Sequence, residues 1–598
     1  MDELQPAGRT SYDESDPPVT TTTDTTPAPA PHERVSLPMR MRHGIMKWLS
    51  RFSFLGLVVA LLFYCWSLTP SLLPRAWYLQ GVATGISIVT GYGIGVLVAW
   101  GIRKCGFDVR VPPKAAKVLW ILLALVAIVV VPTFLALGSR WQNISRELVG
   151  IESGSNWDYP GVLAVALFLS LILLLIGRGL RRVAQFVTRQ VVRILPVPVA
   201  RAVSVVVVGA VVFLALEGLL AAGITRIADG SAKVVDEGTA AGVVQPQSPD
   251  RSGSDASEQP WDSLGREGRT FVAGGPTPEE IGAVTGRPAM MPIRVYAGYR
   301  SIENAGGQSE PEEMDTLASR VVAELDRTNA FDREYLAVAT TTGRGWVNED
   351  VASSLEYLAD GNSAIAAMQY SFLASPLAFL ADRVSPRNAG RALFEAVYDR
   401  WSDLDPNTRP KLLVFGESLG SYGGQSAFSG AQDMITRTDG ALWVGTPDFT
   451  EQWRRITDSR DPGSREILPV VYGGQNVRFA ATPADLTDLP GLRQWEFPRI
   501  VYWQHPSDPI VWWSTDLILN RPDWLREERG ADVDKSMSWI PFVTFWQVTL
   551  DMVFAADVPS GHGHDYGTEA AYFWADILGI EDQAFAQRVF DALSAGTG

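Results

Sequence analysis

The stretch Leu412-Leu413-Val414-Phe415-Gly416-Glu417-Ser418-Leu419-Gly420 decides how the second half of this 598-residue chain is read. Four consecutive apolar residues, without polar alternation, predict a strand buried on both faces. They run directly into the pattern G-x-S-x-G, and Tyr422–Ile435 has the composition of a helix. A serine between two such glycines, after a strand and before a helix, sits on a tight turn. The glycines let the two backbones approach, and the hydroxyl is carried to the end of the sheet. Ser418 is therefore the candidate nucleophile.

Outward from this turn, strand and helix patterns alternate. Short β-branched or apolar runs lie at Ile293–Ala297, Tyr335–Thr340, Ala364–Tyr370, Ala441–Val444 and Ile500–Trp503. Glu312–Arg327 is amphipathic, with Met314, Leu317, Val321, Val322 and Leu325 on one face, and Ala389–Trp401 also reads as helix. Such alternation predicts a mostly parallel sheet with helices on both faces, whose chemistry gathers at the carboxyl ends of the strands.

A serine nucleophile requires a base and an acid that orients it. The chain has five histidines, and only His505, His562 and His564 lie beyond residue 50. His562 and His564 occupy the glycine-rich run Gly561-His562-Gly563-His564-Asp565-Tyr566, which is a loop rather than a core segment. The His-x-Tyr run leads into a helix over Thr568–Leu578, which would fix the ring by packing. His564 is therefore taken as the base, with His562 the alternative. His505 reads as structural. Asp508, after the Ile500–Trp503 strand, and Asp448, after Ala441–Val444, compete as the acid. One oxyanion donor is expected from the N–H of Leu419 and another from the loop Thr341–Trp346, at Thr342 or Gly343.

The first half is different in kind. Apolar runs at Phe52–Leu68, Tyr78–Trp100, Val118–Leu137, Gly161–Gly177 and Ala202–Ile224 each approach the ~20 residues that a bilayer core requires. Their flanks are strongly asymmetric. Sixteen Lys and Arg residues lie on one side, from Arg34 to Arg51, Arg103 to Lys117 and Arg178 to Arg201; only Arg75, Arg140 and Arg146 lie on the other. The positive-inside rule puts the N-terminus in the cytoplasm and everything after Ile224 outside it. Gly81, Gly85, Gly91 and Gly95 have the small-xxx-small spacing of closely packed membrane helices. Glu217 is an ionisable group inside the last run. The expected domains are a disordered cytoplasmic tail over 1–50, a membrane domain of about five helices over 51–225, a linker with a short helix over 226–290, and the α/β domain over 291–598.

Acidic residues outnumber basic ones by 66 to 51, and the net charge of -15 argues against nucleic acid as a partner. Two cysteines exclude a disulfide framework and a cysteine zinc ribbon. There is no HExxH, Walker A or soluble dinucleotide-binding glycine motif. No cofactor and no metal are expected.

Several stretches taken together resemble the actinobacterial membrane-anchored α/β-hydrolases, which join a multi-pass region to a C-terminal hydrolase domain. They are Ser67–Arg75 (SLTPSLLPR), Thr341–Trp346, Gly416–Gly420 (GESLG), Gly440–Pro447 (GALWVGTP), Gln504–Trp513 (QHPSDPIVWW) and Gly561–His564 (GHGH). The resemblance implies an α/β-hydrolase fold and a triad of Ser418, Asp508 and one histidine of the GHGH pair. In such hydrolases the acid most often follows the later strand, which favours Asp508 over Asp448. The expected activity is that of a membrane-embedded serine hydrolase or acyltransferase, acting on ester or thioester bonds of envelope lipids through an acyl-serine intermediate. The alternative is a non-enzymatic transporter or envelope assembly factor carrying a hydrolase-like domain. Trp539–Phe554 (WIPFVTFWQVTLDMVF) is dense in apolar residues and reads as a lid or pocket wall, or as a core helix.

Overall fold

A computed structural model of the chain describes residues 52–107, 111–154, 158–226, 233–302, 310–373, 378 and 382–596. The expected tail over 1–50 lies outside the described residues. Phe54 to Gly598 form one compact unit.

Its first part is five helices: α1 (Phe54–Ser67), α2 (Trp77–Lys104), α3 (Pro113–Leu148), α4 (Tyr159–Val191) and α5 (Val197–Arg226). Four of them, α2 to α5, are long and apolar enough to cross a membrane. The first of the five expected spans is shorter than predicted. Helix α1 has 14 residues, or ~21 Å at 1.5 Å per residue, against a hydrocarbon core of ~30 Å. It stops at Ser67 because Thr69-Pro70 and Pro74 break the helix that the apolar run would otherwise continue. Helix α2 packs through its glycines on two sides. A Cβ at Gly81 would stand 2.7 Å from Val165 of α4, and one at Gly95 would stand 2.6 Å from the Leu55 carbonyl of α1. Only residues without a side chain allow both approaches. The side chain of Glu217 lies outside the described residues.

The second part is a seven-stranded sheet in the order β1-β3-β2-β4-β5-β7-β6, with every pairing parallel. The strands are β1 (Ile293–Ala297), β2 (Tyr335–Thr340), β3 (Ser363–Met368), β4 (Lys411–Glu417), β5 (Gly440–Val444), β6 (Val477–Ala480) and β7 (Arg499–Trp503). Strand β6 has no counterpart in the sequence reading; its four residues, Val-Arg-Phe-Ala, include an arginine that breaks the apolar run. Side chains alternate between two cores. Leu336, Val338 and Val414 face one, while Ala337, Ala339, Leu413 and Phe415 face the other. Burial on both faces explains why these strands read as unbroken apolar runs. Helices Pro311–Arg327 and Ser385–Ser402 cover one face; Glu349–Leu358, Ala570–Leu578 and Gln583–Gly596 cover the other. Strand order reverses between β2 and β4, so the crevice of the sheet opens beyond Thr340 and Glu417.

Two expectations need correction. Gln245–Gln259, inside the linker expected over 226–290, is fixed against the sheet edge. Arg251 bridges Arg294 of β1, and Ser252 Oγ, Ser257 Oγ and the Glu258 N–H all donate to the buried carboxylate of Glu324, at 2.9, 2.8 and 2.7 Å. The serines that signal a linker here satisfy a buried charge. The single helix expected over Tyr422–Ile435 is two, Leu419–Gln425 and Ala431–Arg437, broken at Ser429-Gly430.

Candidate active site

Strand β4 delivers Ser418 to a backbone conformation that a side-chain-bearing residue rarely adopts, φ 55° and ψ -119°. Four features hold it there. The Ser418 N–H donates to the Val444 carbonyl at 2.9 Å, and the Ser418 carbonyl accepts from Tyr422 N–H at 3.0 Å as the helix begins. Gly420 lies so close to β2 that a Cβ would meet the Thr340 carbonyl at 2.1 Å. A Cβ at Gly416 would meet the Gly420 backbone at 2.6 Å. The glycines of the motif are thus demanded by contact as well as by turn geometry.

Strand β7 delivers the acid. Asp508 is fully buried, caps the short helix Pro509–Trp512, and accepts the Ile510 N–H at 2.8 Å through Oδ1. Its Oδ2 receives two more donors, His564 Nδ1 at 2.7 Å and the Tyr566 hydroxyl at 2.8 Å. With Nδ1 carrying the proton toward Asp508, His564 presents a lone pair at Nε2. That nitrogen is buried and, among the described residues, makes no hydrogen bond. The ring lies against the turn after β5: a Cβ at Gly445 would stand 2.7 Å from His564 Cε1, and the neighbouring Val444 is the residue bonded to Ser418 N–H. The structure therefore brings Ser418, Asp508 and His564 to one corner of the sheet end.

The alternatives are placed elsewhere. His562 sits with Nδ1 3.4 Å from Asp532 Oδ2, its side chain 29% exposed. Asp448 forms an ion pair with Arg454. His505 is buried; its Nδ1 bonds the Gly563 carbonyl at 3.0 Å and its ring stacks on Tyr566 at 4.2 Å. Burial lowers its pKa to about 4, so it is neutral at ordinary pH.

The segment His505-Pro506-Ser507-Asp508 in fact clamps the histidine loop at three points. His505 holds the Gly563 carbonyl, Ser507 Oγ accepts the Gly563 N–H at 2.8 Å, and Asp508 holds His564. Ser507 and Tyr566 escaped the sequence reading. The signal for Tyr566 was the His-x-Tyr run, read as packing rather than as a second donor to the acid.

Glu417, the residue before Ser418, also faces this corner. Asn348 Nδ2 donates to it at 2.6 Å and to the Tyr566 carbonyl at 2.8 Å. Burial pushes the Glu417 carboxyl up to about 7, against the lowering by His564 and the Asn348 hydrogen bond. His564 itself is raised above the ordinary histidine value. Burial disfavours the imidazolium, but the Asp508 charge and hydrogen bond, then Glu417 and Asp565, outweigh it.

Of the expected oxyanion donors, Thr342 requires correction. Its N–H is used by the Trp346 carbonyl at 3.0 Å, because the loop closes on itself, with the Gly345 N–H bonded to the Thr342 carbonyl at 2.8 Å. Among the described residues no hydrogen bond engages the Gly343 N–H. Leu419 opens the helix after Ser418, where an N–H has no intrahelical acceptor. Trp539–Phe554 is not a free-standing lid. Its helix, Val543–Asp551, lies against the loop between α1 and α2, where Gln547 Nε2 donates to the Thr69 carbonyl at 2.9 Å.

A model of the alpha/beta-hydrolase family matches residues 293–589, and a model of that family's N-terminus matches residues 68–276. The first stretch contains Ser418, Asp508 and His564; the second begins within the α1–α2 loop. No curated protein and no solved structure matches the chain.

Proposed function

The chain belongs to the alpha/beta-hydrolase family, and from that premise we propose that it is a serine hydrolase or acyltransferase working through an acyl-Ser418 intermediate. The observation that carries this reading is the combination at one sheet corner: a serine held at φ 55°, and beside its turn a His564–Asp508 pair with Nε2 unbonded. His564 Nε2 takes the hydroxyl proton as Ser418 Oγ attacks the acyl carbonyl. Asp508 holds the tautomer and balances the imidazolium. The N–H groups of Leu419 and Gly343 receive the charge on the tetrahedral oxygen. The leaving group departs with the proton from His564. Water, or a hydroxyl acceptor, then attacks the acyl-serine with His564 again as base.

The substrates in this reading are esters or thioesters of envelope lipids. Support comes from the four membrane-length helices joined to the catalytic domain in one unit. The basic ends of α2 and α4, and the basic residues at the starts of α3 and α5, belong on the cytoplasmic side by the positive-inside rule, with the sheet on the opposite side. A reporter active only outside the cytoplasm, fused after Gly598, tests the orientation; activity only in a cytoplasmic format would reverse it. Labelling of the full chain by a fluorophosphonate tests the chemistry. Wild-type protein is expected to label and Ser418→Ala to lose at least ~10⁴ in rate. Equal labelling of the two would sink the mechanism.

A further inference from the structure

The loop Ser67–Arg75 between α1 and α2 reaches into the catalytic domain at the point from which the histidine loop is suspended. Asp551, the last residue of helix Val543–Asp551, is buried and receives four groups from this loop. Ser71 Oγ makes a short hydrogen bond to Oδ2, the Leu72 and Leu73 N–H groups approach Oδ2 at 3.2 and 3.5 Å, and Arg75 Nε pairs with Oδ1 at 2.7 Å. Both ends of the ion pair are desolvated, at 1% and 0% side-chain exposure. Arg75 is fastened in turn to the membrane helices, its N–H to Gln142 of α3 at 2.7 Å and its Nη1 to Gln80 of α2 at 3.0 Å.

Four residues beyond Asp551, the Ala555 carbonyl accepts the His564 N–H at 2.6 Å. Leu73 forms a small buried cluster with Val149, Ala555 and Val558, and Ile510, two residues after Asp508, packs on it. Gly563, with φ 55°, is wedged in the same place; a Cβ there would meet the Ala555 carbonyl at 2.5 Å and Leu73 Cδ1 at 3.3 Å. The membrane-side loop therefore backs the residue before the proposed base and the residue two after the proposed acid.

We propose that the Ser67–Arg75 loop is a positioning element of the active site, with Asp551, Arg75 and Leu73 setting the His564–Asp508 geometry, so that the membrane helices are part of the catalytic apparatus as well as its anchor. This rests on the reading of Ser418 and His564 given above. A misplacement of ~1 Å at a group remote from the chemistry can cost ~100-fold in rate, which sets the scale of the expected effect. A loosened pair also relaxes the pKa of His564 back toward that of an ordinary histidine. Because the neutral ring is the base, the pH midpoint of activity moves down.

The test uses the full chain in detergent and fluorophosphonate labelling over a range of probe concentration and pH. Asp551→Asn keeps the acceptor for the loop N–H groups but removes the charge facing Arg75. It is expected to lower the maximal labelling rate by about 10- to 100-fold, leave the half-saturating probe concentration unchanged, and lower the pH midpoint. Leu73→Ala, which removes only an apolar contact, is expected to do the same to a smaller degree, and it decides the matter alone if Asp551→Asn does not fold. Val589→Ala, in the core of the opposite face of the sheet, supplies a comparable loss of melting temperature without either kinetic change. Wild-type rate and midpoint in folded Asp551→Asn and Leu73→Ala would overturn the proposal, as would equal kinetic losses in Val589→Ala. A wild-type chain that does not label at all overturns the Ser418 reading and this proposal with it.

Discussion

Two sets of serine, aspartate and histidine lie side by side at the end of this sheet, and they are built for different ends. In one, Ser418 stands on a left-handed turn, His564 donates to Asp508 at 2.7 Å, and His564 Nε2 is buried without a partner among the described residues. In the other, Ser507 Oγ already accepts the Gly563 N–H and donates to Asp532, while His562 sits 3.4 Å from that carboxylate and is partly exposed. The residue types are the same. What separates them is the state of the hydroxyl and of the second ring nitrogen. A nucleophile must be unspent, and a base must have a lone pair facing reactant rather than water. Ser507 is spent on holding a loop. A triad is recognised by its unsatisfied atoms as much as by its contacts.

The two histidines should differ most. His564→Ala is expected to lower fluorophosphonate labelling by ~10⁴, while His562→Ala retains most of it. A dead His562→Ala beside an active His564→Ala, in the same labelling assay, would reverse the assignment. Ser507→Ala is the next largest effect, and chiefly on stability. It strands the buried Gly563 N–H and leaves Asp532 Oδ2 with His562 alone, a loss of about 1–3 kcal/mol, readable as a lower melting temperature. Were Ser507→Ala as inactive as Ser418→Ala but equally stable, the second set would be doing chemistry.

A finer test concerns pH. Labelling should fall as pH drops through the pKa of His564, which its carboxylate neighbours hold above the ordinary value of about 6.5. Glu417 is one of those neighbours. Glu417→Gln removes a negative charge near the imidazolium, so the midpoint should move down while the Asn348 hydrogen bond keeps an oxygen acceptor. An unmoved midpoint would mean that Glu417 is not felt as a carboxylate by the ring. The smallest change is expected in His562→Ala across the same titration, with the midpoint within a few tenths of a unit of the wild type, since this ring sits against Asp532 rather than Asp508.

The sheet was legible in the sequence because its strands are buried on both faces and so read as apolar runs; six of its strands fall where those runs lie. Strand β6 did not, because Arg478 leaves no more than two apolar residues together in four, its guanidinium turned to the Gly474 and Leu486 carbonyls, whereas β1 keeps Val295, Tyr296 and Ala297 beyond its Arg294. Ser418 was legible because a turn of this kind requires its glycines locally. His564 was narrowed by the scarcity of histidine, and Asp508 was favoured over Asp448 by the family resemblance; their contact is 56 residues long-range, and nothing local distinguishes His564 from His562 except the tyrosine that follows. Asp532, Asn348 and Asp551 carried no local signal at all. Each acts through a partner far along the chain, and an aspartate near the end of an apolar helix reads as a surface residue until that partner is known. The same holds for Gln245–Gln259, whose polarity is spent on Glu324 rather than on water.

The Ser71–Asp551 hydrogen bond joins residues 480 positions apart. Translation runs from the amino end, so the α1–α2 loop is made early and its carboxylate partner arrives only after nearly the entire remaining chain has been synthesised. Contacts of such separation form late, once the intervening elements have folded and docked. Until then Arg75 has no counter-ion from Asp551 and the histidine loop has nothing behind it. Assembly of this corner is thus an end-of-synthesis event, and a chain truncated before Asp551 would have its helices and its nucleophile turn but not the joint between them.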